Sequence, residues 1–362
     1  MTTSFSLRPS RLASVDALRG LAVAAMLVVN DAGDWGHVYP WLEHAPWHGC
    51  TPADLIFPFF LLIVGVSLNL ALGPKVQAGA ATRELAGAVL WRGLRIAALG
   101  LALHAVAWWL IDGRSFRIPG VLQRIGLCFG AAGLLMLWLR DARAQWLALA
   151  ALLAGHATLL MLGGSLEPGE NLSDRIDTAV FGRFAYEFDA ASGRAHDPEG
   201  LLGTLGALAT VMLGVRAGDW LRSGRRTHIV AAGVAALAAG AAWSPLLPWN
   251  KALWTPSFVL WTGGLGLLAL ALAHALIDRL GAPALGRSMG VNAIAAYAGA
   301  WIATCVLAGS GAMAPLYTSM FAAPLAPRFG PAFASLAFAL GFTGSWWLLM
   351  VVFERRGWRI TI

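Results

Sequence analysis

The sequence predicts an all-α polytopic membrane protein, a bundle of about ten transmembrane helices with both termini in the cytoplasm. Of its 362 residues, 58% are hydrophobic and only 12% are charged, whereas a soluble chain of this length needs more charge to stay dispersed. Apolar runs long enough to cross a bilayer as helices recur along the chain, and the short alternating segments of a β-barrel are absent. Because lipid offers the backbone no hydrogen-bond partners, a helical bundle is the structure that these runs predict.

Ten apolar segments define the predicted helices. They lie near residues 15–31, 54–72, 85–111, 119–139, 145–162, 199–217, 228–247, 255–277, 289–308 and 333–353. Most Lys and Arg residues fall in the loops on one side of these segments, so the positive-inside rule places both termini in the cytoplasm. No soluble domain of useful size remains, which predicts a single transmembrane domain over residues 1–362. The longest polar stretch, 163–198, lies on the opposite side and predicts a lid or an ordered loop over a site.

Charge and cysteine usage exclude several other classes of protein. The net charge of +7 is spread over short loops between apolar segments, as membrane topology requires, and does not indicate nucleic-acid binding. Cys128 and Cys305 lie inside apolar segments, which leaves Cys50 without a partner, so no disulfide framework is predicted. Arginines before the first apolar run resemble the start of a signal peptide, but no A-x-A-like cleavage site follows. We therefore expect an uncleaved first helix.

The loop between the first two predicted helices is the first candidate site. It carries His44, His48 and Asp54 beside the membrane but no Lys or Arg. Histidine transfers protons near neutral pH, and a nearby carboxylate fixes its tautomer, so His44 with Asp54 is the preferred pair and His48 its competitor. Ordinary interfacial polar residues beside a Trp belt fit the composition at least equally well.

A metal site in the same loop is a further alternative. His37, His44 and His48 are of a residue type that binds zinc, and acids lie nearby. Their spacing matches no familiar zinc motif, and no Cys pair accompanies them. No metal is therefore predicted.

Ionisable residues at or inside the apolar segments form the second candidate feature. Arg92 and Arg95 lie in the cytoplasmic half of the third segment, Arg124 lies in the fourth, and Asp16 opens the first. Charges in a membrane are costly and usually face the bundle interior or a ligand, and converging arginines suit an anionic, phosphate-bearing ligand. Snorkelling to the interface is the competing interpretation for Arg92 and Arg95. Arg124 lies nearer the opposite end of its helix, where it would also suit pairing with an acid.

A third group lies at or near the starts of the later helices. Residues 197–200 combine a proline with two acids, which is a common helix-capping arrangement. Lys251 is the lone basic residue of a short loop and precedes Trp254, where it would pair with an acid, contact a polar substrate or anchor the interface. Asn292 would line a cavity or form an interhelical hydrogen bond.

Seven runs of residues, taken together and in order, match a known pattern. They are RLASVDALRG at 11–20, VN at 29–30, HAPWHGCT at 44–51, DLIFPFF at 54–60, RIPGVLQRI at 117–125, DPEG at 197–200 and KALWTPS at 251–257. This combination resembles heparan-α-glucosaminide N-acetyltransferase and its bacterial relatives. The resemblance spans most of the chain, and the combined signature is specific although each piece alone is weak.

This resemblance implies a transmembrane acyltransferase that moves an acetyl group from cytoplasmic acetyl-CoA to the amine of a glucosamine-like sugar on the other side. The family's active histidine falls on His44 and its nearby asparagine on Asn30, and we expect Asp54 to orient His44. Because CoA carries several negative charges, its nucleotide should stay near cytoplasmic arginines while its pantetheine arm extends into the bundle. The full assignment places catalysis on His44, Asn30 and Asp54; acetyl-CoA binding on Arg92, Arg95, Arg124, Arg279 and Arg287; and substrate binding on Asp16, His48, Trp47, Lys251, Trp254 and Asn292.

The chain also departs from the lysosomal enzyme of this family. It has His48 where that enzyme has a small polar residue, and it lacks the luminal N-terminal domain. A bacterial host is expected, which implies a multi-pass protein of the inner membrane and leaves the acceptor sugar open. The resemblance also implies a homodimer. Because some bacterial relatives are labelled as sugar transporters, transport of amino sugars or muropeptide fragments is the alternative function, and a binding or structural protein without turnover is a third.

Overall fold

The computed structural model describes residues 12–360, which fold almost entirely into helices. The α-helices are α1 (Ala13–Asn30), α2 (Ile56–Gln77), α3 (Thr82–Leu110), α4 (Val121–Trp138), α5 (Ala142–Leu162), α6 (Leu172–Val180), α7 (Gly203–Arg222), α8 (Arg226–Trp243), α9 (Pro256–Ala273), α10 (Arg287–Val291), α11 (Ala293–Gly309), α12 (Met313–Tyr317), α13 (Ala323–Phe329) and α14 (Pro331–Arg355). Three 3₁₀ turns (Pro40–Leu42, Pro52–Leu55, Gly182–Phe184) and two π-helical segments (His274–Arg279, Thr318–Ala322) complete the helical structure. One antiparallel strand pair, β1 (Glu187–Asp189) and β2 (Arg194–His196), lies between α6 and α7.

The predicted helical class of membrane protein is confirmed, but the count of ten spans is not. Among residues 12–360, seven helices are long and apolar enough to cross a membrane. An eighth is added if the bent pair Ala293–Gly309 and Met313–Phe329 forms one span. Helices α7 and α8 coincide with predicted segments but lie outside this set, because α7 carries Arg216 and Asp219 and α8 begins with Arg226.

The helices run between two faces of the bundle. Helix α1 begins and α14 ends at one face, here called the terminal face, while residues 31–55, 111–120, 163–202 and 244–255 meet at the other, here called the loop face. The two described ends of the chain lie close together. Asn292 Nδ2 donates to the carbonyl of Trp358 at 3.2 Å, and the start of α1 contacts the π-helical segment His274–Arg279 through Ser14, whose backbone N–H donates to Asp278 at 3.2 Å. Both ends therefore lie at the same face; that this face is cytoplasmic stays a prediction.

Glycines allow α1 and α10 to touch along their backbones. A Cβ atom at Gly20 would lie 1.8 Å from the carbonyl oxygen of Gly286, and one at Gly290 would lie 1.7 Å from the carbonyl oxygen of Asp16. Small residues at such crossings let membrane helices approach closely. No side chain larger than that of glycine therefore fits at these two positions of the α1–α10 contact.

Helices α2 and α7 form the centre of the bundle in the same way. A Cβ atom at Gly65 or at Gly214 would lie 2.0 Å from a carbonyl oxygen of the facing helix. Around them Leu61, Met212 and Phe258 are fully buried. The functional loops at the loop face are thus attached to a rigid core.

The segment after α11 differs from the sequence prediction. The predicted helices near 289–308 and 333–353 leave residues 309–332 as a connection, but α12, the Thr318–Ala322 segment and α13 continue the chain as helix at about a right angle, with a bend of 100°. The ring of Tyr317 packs edge-on against Phe338 of α14, with centroids 5.9 Å apart. A Cβ atom at Gly33 would lie 2.5 Å from the Tyr317 ring, so this bent segment also supports the start of the loop after α1.

Candidate active site

The loop between α1 and α2 is held in place by two other loops of the loop face. The backbone N–H of Gly49 donates to the carbonyl of Trp249 at 2.7 Å, and Asn250 Nδ2 donates to the carbonyl of Trp47 at 3.0 Å. Trp47 Nε1 in turn donates to the carbonyl of Leu166 at 3.0 Å. These bonds fix residues 44–50, which carry the histidines, against the α8–α9 connection and the lid predicted from residue 163 onward.

The turn Pro52–Leu55 orients Asp54 toward this loop. Three donors bind its Oδ2 atom: the backbone N–H of Thr51 at 3.0 Å, the backbone N–H of Ala45 at 3.1 Å and the Thr51 hydroxyl at 3.1 Å. Because the carboxylate is buried, these bonds supply the polar partners that its charged form needs. The second oxygen, Oδ1, remains to face His44.

His44 lies between Asp54 and Lys251. Its Nδ1 atom is 2.8 Å from Asp54 Oδ1, and the Lys251 Nζ atom is 2.8 Å from its Nε2 and 3.1 Å from its Nδ1. The His44 side chain is 46% exposed, whereas that of Asp54 is 1% exposed. A carboxylate at Nδ1 favours the tautomer that carries its proton there, so the Nε2 lone pair is the one available for chemistry.

Lys251 adds a second charge beside the imidazole. Its Nζ atom lies 3.8 Å from Asp54 Oδ1. Burial lowers the pKa of Lys251 below its usual value, although the Asp54 and Glu199 carboxylates oppose that change. A lysine in such surroundings exchanges its proton more readily than one in water.

An ion-pair cluster closes the loop face beside this group. The guanidinium of Arg117 donates through Nε to Asp197 Oδ2 at 3.0 Å and through Nη2 to both Asp197 and Glu199. Burial opposes the charged form of Glu199, but the positive charges of Arg117, Arg124 and Lys251 together outweigh it and hold the pKa of that carboxyl below its usual range. The acids at 197–200 therefore do more than cap a helix, because they bind an arginine from the α3–α4 loop.

Arg124 and Trp254 lie beneath this cluster. Arg124 is fully buried, and its Nη2 atom donates to the carbonyl of Gly200 at 2.9 Å. Its guanidinium carbon is 5.2 Å from the centre of the Trp254 ring. Trp254 has a φ of 52°, rare for a bulky residue, and its Nε1 donates to the Thr210 hydroxyl at 3.1 Å. Both residues therefore support the floor of the site and have no exposed surface to offer a substrate.

Residues 163–202 form an ordered cover, here called the lid, built from α6, β1 and β2. His196 Nδ1 lies 2.7 Å from Asp174 Oδ1. Burial opposes protonation, but the hydrogen bond and charge of Asp174, together with the charges of Glu187 and Asp197, outweigh it and raise the pKa of His196. On the loop side, His48 Nε2 lies 3.9 Å from Glu167 Oε1, so the lid contacts the histidine-bearing loop directly.

The structure separates the predicted substrate residues into two groups. At the loop face lie Trp47, His48, Lys251 and Trp254, together with the predicted catalytic pair His44 and Asp54. Asn30 ends α1 at the same face with an exposed side chain. Asp16 pairs with Arg19 at 2.8 Å near the terminal face, and Asn292 binds Trp358 there, so neither lies with the others.

The five predicted CoA-binding arginines do not converge either. Arg124 lies at the loop face, whereas Arg279 and Arg287 lie at the terminal face with exposed side chains, and Arg287 Nε is 3.5 Å from Glu354. Arg92 and Arg95 lie on an exposed side of α3, with Arg92 5.3 Å from the Phe129 ring. Arg124 therefore cannot share one phosphate-binding site with Arg279 and Arg287, because the end of α4 that carries it lies at the opposite face of the bundle.

No cluster that would suit a metal emerges in residues 12–360: nowhere do three His, Cys, Asp or Glu side chains gather as potential ligands. His37 instead pairs with Asp34, with Nδ1 2.8 Å from Oδ2. Cys50, Cys128 and Cys305 are free thiols.

Two contributors to the site are missing from the sequence-based assignment. Arg117 appears there only as part of a matching run, although a largely buried arginine after a helix needs acidic partners, and the two acids at 197–200 can provide them. His196 and Asp174 are absent from it, because their separation of 22 residues gives no local signal.

Comparisons with known proteins agree with the resemblance read from the sequence. A family model described as the catalytic region of heparan-alpha-glucosaminide N-acetyltransferase matches residues 11–169. The human heparan-alpha-glucosaminide N-acetyltransferase is 29% identical over 76% of this chain, and the mouse protein of the same name is 27% identical over 74%. The chain spans about half the length of these curated relatives, 50% in each case. The resemblance is therefore confirmed, and the matched segment contains His44 and Asp54.

Proposed function

We propose that this chain is an acetyl-CoA-dependent membrane N-acetyltransferase that acts on the amine of a glucosamine-like sugar at the loop face. One observation carries the proposal: His44 is partly exposed and held between Asp54 and Lys251, within a segment similar to known N-acetyltransferases. Such a carboxylate–histidine pair suits general-base or nucleophilic catalysis of acyl transfer. Asn30, at the end of α1, would donate to the thioester carbonyl as negative charge develops on its oxygen.

Two routes of transfer are open to His44, and both balance. In direct transfer the amine nitrogen attacks the thioester carbon, the C–S bond breaks, and His44 Nε2 accepts the amine proton before passing it to the departing thiolate. In the two-step route Nε2 attacks the thioester carbon, CoA leaves as the thiolate, and an acetyl-imidazolium forms. The amine nitrogen then attacks the acetyl carbon, the C–Nε2 bond breaks, and the freed Nε2 takes the amine proton. In each route Asp54 keeps the Nδ1 proton in place and stabilises the imidazolium that forms.

Lys251 would occupy the Nε2 atom of His44 in the resting site, because its Nζ atom lies 2.8 Å away. The amine of an incoming acceptor would have to displace Lys251 from Nε2. Glu199 and Asp54 are the carboxylates that act on Lys251, and they would hold its charge when it moves.

The donor would reach the site from the terminal face. If that face is cytoplasmic, the exposed Arg279 and Arg287 are available to CoA phosphates, because each offers planar donors that suit phosphate oxygens. Arg92 and Arg95 would serve only if the nucleotide lies against α3. We place the protein in a bacterial inner membrane as a multi-pass enzyme, and from the family resemblance we propose a homodimer.

A transfer assay with purified protein in liposomes tests this function. Radiolabelled acetyl-CoA and glucosamine would be incubated with the wild type, His44→Ala and His37→Ala. His37 is the matched control, because it lies in the same loop and also pairs with a carboxylate at 2.8 Å. Wild type and His37→Ala should form acetylated sugar, and His44→Ala should not. Full transfer by His44→Ala would overturn the proposal.

Transport of amino sugars stays as the second candidate. It is favoured by one observation, the 100° bend between Ala293–Gly309 and Met313–Phe329, because broken helices are characteristic of transporter binding sites. In the same liposomes, saturable uptake of unmodified glucosamine without any acetylated product would support transport in place of transfer.

A further inference from the structure

An apolar cavity of about 320 Å³ lies between α1, α2 and α9. Leu18, Leu21 and Ala25 of α1, Phe59 of α2 and Ala269 of α9 contribute to its wall. Every residue that lines it is Leu, Ile, Phe, Ala, Pro or Gly, so no lining side chain can donate or accept a hydrogen bond. None of the residues of the His44 site faces this cavity.

The cavity extends along α1 from within the apolar part of the bundle toward the candidate active site. Leu18 and Ala25 are seven residues apart on α1, which is about 10 Å along the helix axis. At its upper end it reaches Pro52 and Leu55, which belong to the same short turn as Asp54. Leu21 at its rim is 42% exposed, so the cavity is open to the outer surface of the bundle at a depth where lipid would surround it.

The chemistry of the wall selects the kind of occupant. The pantetheine arm of CoA carries two amides and a hydroxyl, and in this cavity no side chain would satisfy them, which makes burial there unfavourable. A hydrocarbon chain has no polar group to satisfy. Because such a chain leaves lipid for an equally apolar wall, the cavity gives little driving force for binding; its effect is to position whatever the chain carries at its polar end.

We propose that this cavity holds the hydrocarbon tail of a membrane-anchored amino-sugar acceptor and thereby presents the sugar amine to His44. The proposal rests on the acetyltransferase function proposed above and narrows its substrate class to amino sugars linked to a lipid. The tail enters sideways from the bilayer past Leu21, and the sugar lies at the loop face beyond Pro52. The donor uses a separate route.

Synthetic acceptors of different tail length test the proposal. Wild-type protein in nanodiscs would be given acetyl-CoA with glucosamine or with dodecyl glucosaminide, and the ratio of the two kcat/KM values measured. Ala25→Phe and Ala269→Phe, which fill the cavity, should lower this ratio about fivefold or more, because the tail can no longer position the sugar. Ala102→Phe adds the same ring to an exposed position on α3 outside the cavity and should leave the ratio unchanged. It therefore controls for general effects of an added aromatic ring on an exposed helix surface.

A photocrosslinking measurement covers the case in which the cavity variants fail to fold. Dodecyl glucosaminide with a diazirine at the end of its tail should label α1, α2 and α9 of the wild type, and excess unlabelled dodecyl glucosaminide should compete. Labelling that ordinary phospholipid competes equally well would mean that bulk lipid fills the cavity, and would overturn the proposal. A ratio that Ala25→Phe and Ala269→Phe leave unchanged would do the same. Transfer to glucosamine with no effect of the tail would reject this inference alone, whereas no transfer to either acceptor would reject the acetyltransferase itself.

Discussion

The indole of Trp47 meets the imidazole of His196 edge-on, with ring centroids 5.4 Å apart. Trp47 lies three residues after His44 in the loop that follows α1, and His196 lies in β2 of the lid. The same indole donates to the carbonyl of Leu166 at the start of the lid. One side chain therefore joins the histidine-bearing loop to both ends of the segment that covers it.

Replacing Trp47 by Phe should loosen the start of the lid. The change removes the hydrogen bond to Leu166, worth about 1 kcal/mol, but keeps an aromatic edge for His196. We expect faster amide exchange at residues 163–170 without loss of the global fold. Trp41→Phe is the control, because Trp41 lies in the same loop with 51% exposure; equal exchange in the two variants would contradict the role of Trp47.

Acidic conditions should tighten the docking of the lid. Asp174 raises the pKa of His196 above its usual value, so the stability from that pair is full below the unfolded-state pKa of about 6.5 and is lost as pH rises through the higher folded value. Burial raises the pKa of Asp177 to about 6, so ionisation of Asp177 in the folded lid also costs stability as pH rises from its unfolded value through about 6. Both groups act in the same direction between pH 5 and pH 8.

Amide protection factors of residues 163–202, corrected for intrinsic exchange rates, measure this effect. They should be higher at pH 5 than at pH 8, and His196→Gln should reduce the difference. His37→Gln changes a histidine that pairs with Asp34 outside the lid and should leave the difference intact. Greater protection at pH 8 than at pH 5 in the wild type would contradict the expected direction of the pH effect.

Asp54→Asn should strongly reduce turnover. The amide cannot stabilise an imidazolium at 2.8 Å as a carboxylate does, and we expect kcat to fall by about 10²–10⁴ with a smaller change in KM. Asp34→Asn breaks a similar histidine pair in the same loop and should leave kcat near wild type. Equal losses in the two variants would show a general effect of loop structure rather than catalysis.

Lys251→Met should lower kcat/KM by about tenfold or more. The change removes the ammonium 2.8 Å from Nε2 of His44, and with it a positive charge that would stabilise negative charge on the thioester oxygen during transfer. Lys251→Arg retains the positive charge and should keep kcat/KM closer to the wild-type value. A Met variant as active as the Arg variant would exclude this electrostatic role.

The parts of the site that are close in the chain could be predicted from the sequence. His44 and Asp54 are ten residues apart with a proline and a glycine between them, so a bent loop that brings them together is a sound expectation, and the atoms lie 2.8 Å apart. Lys251 stands out in the sequence as unusual, but its contact with His44 spans 207 residues and depends on how α2 and α9 pack. No periodicity in the sequence encodes that distance.

The predictions that differ from the structure also concern features that the local sequence does not determine. The assignment of Arg124 to the CoA-binding arginines rests on its charge inside an apolar segment, although its position nearer the opposite end of its helix already suits a different role; in the structure Arg124 donates to the carbonyl of Gly200. The predicted helices near 289–308 and 333–353 leave residues 309–332 as a connection, because prolines and Arg328 interrupt the apolar run there. The chain nevertheless stays helical over this stretch. Pro315 and Pro327 lie inside short helices, and the Thr318–Ala322 segment between these helices has π-helical spacing.

The glycine contacts between α1 and α10 limit which helices of this molecule can move relative to each other. With the carbonyl of Asp16 against Gly290 and that of Gly286 against Gly20, neither helix can slide past the other by a residue without a steric collision. The pair therefore moves as one rigid unit, and the position of Asn30 at its far end is as fixed as that of Asp16. Any motion that admits a substrate must rotate other helices about this unit and separate a different helix–helix contact. The gap between α1 and α9, where the cavity already separates the helices, is the natural place for it to open.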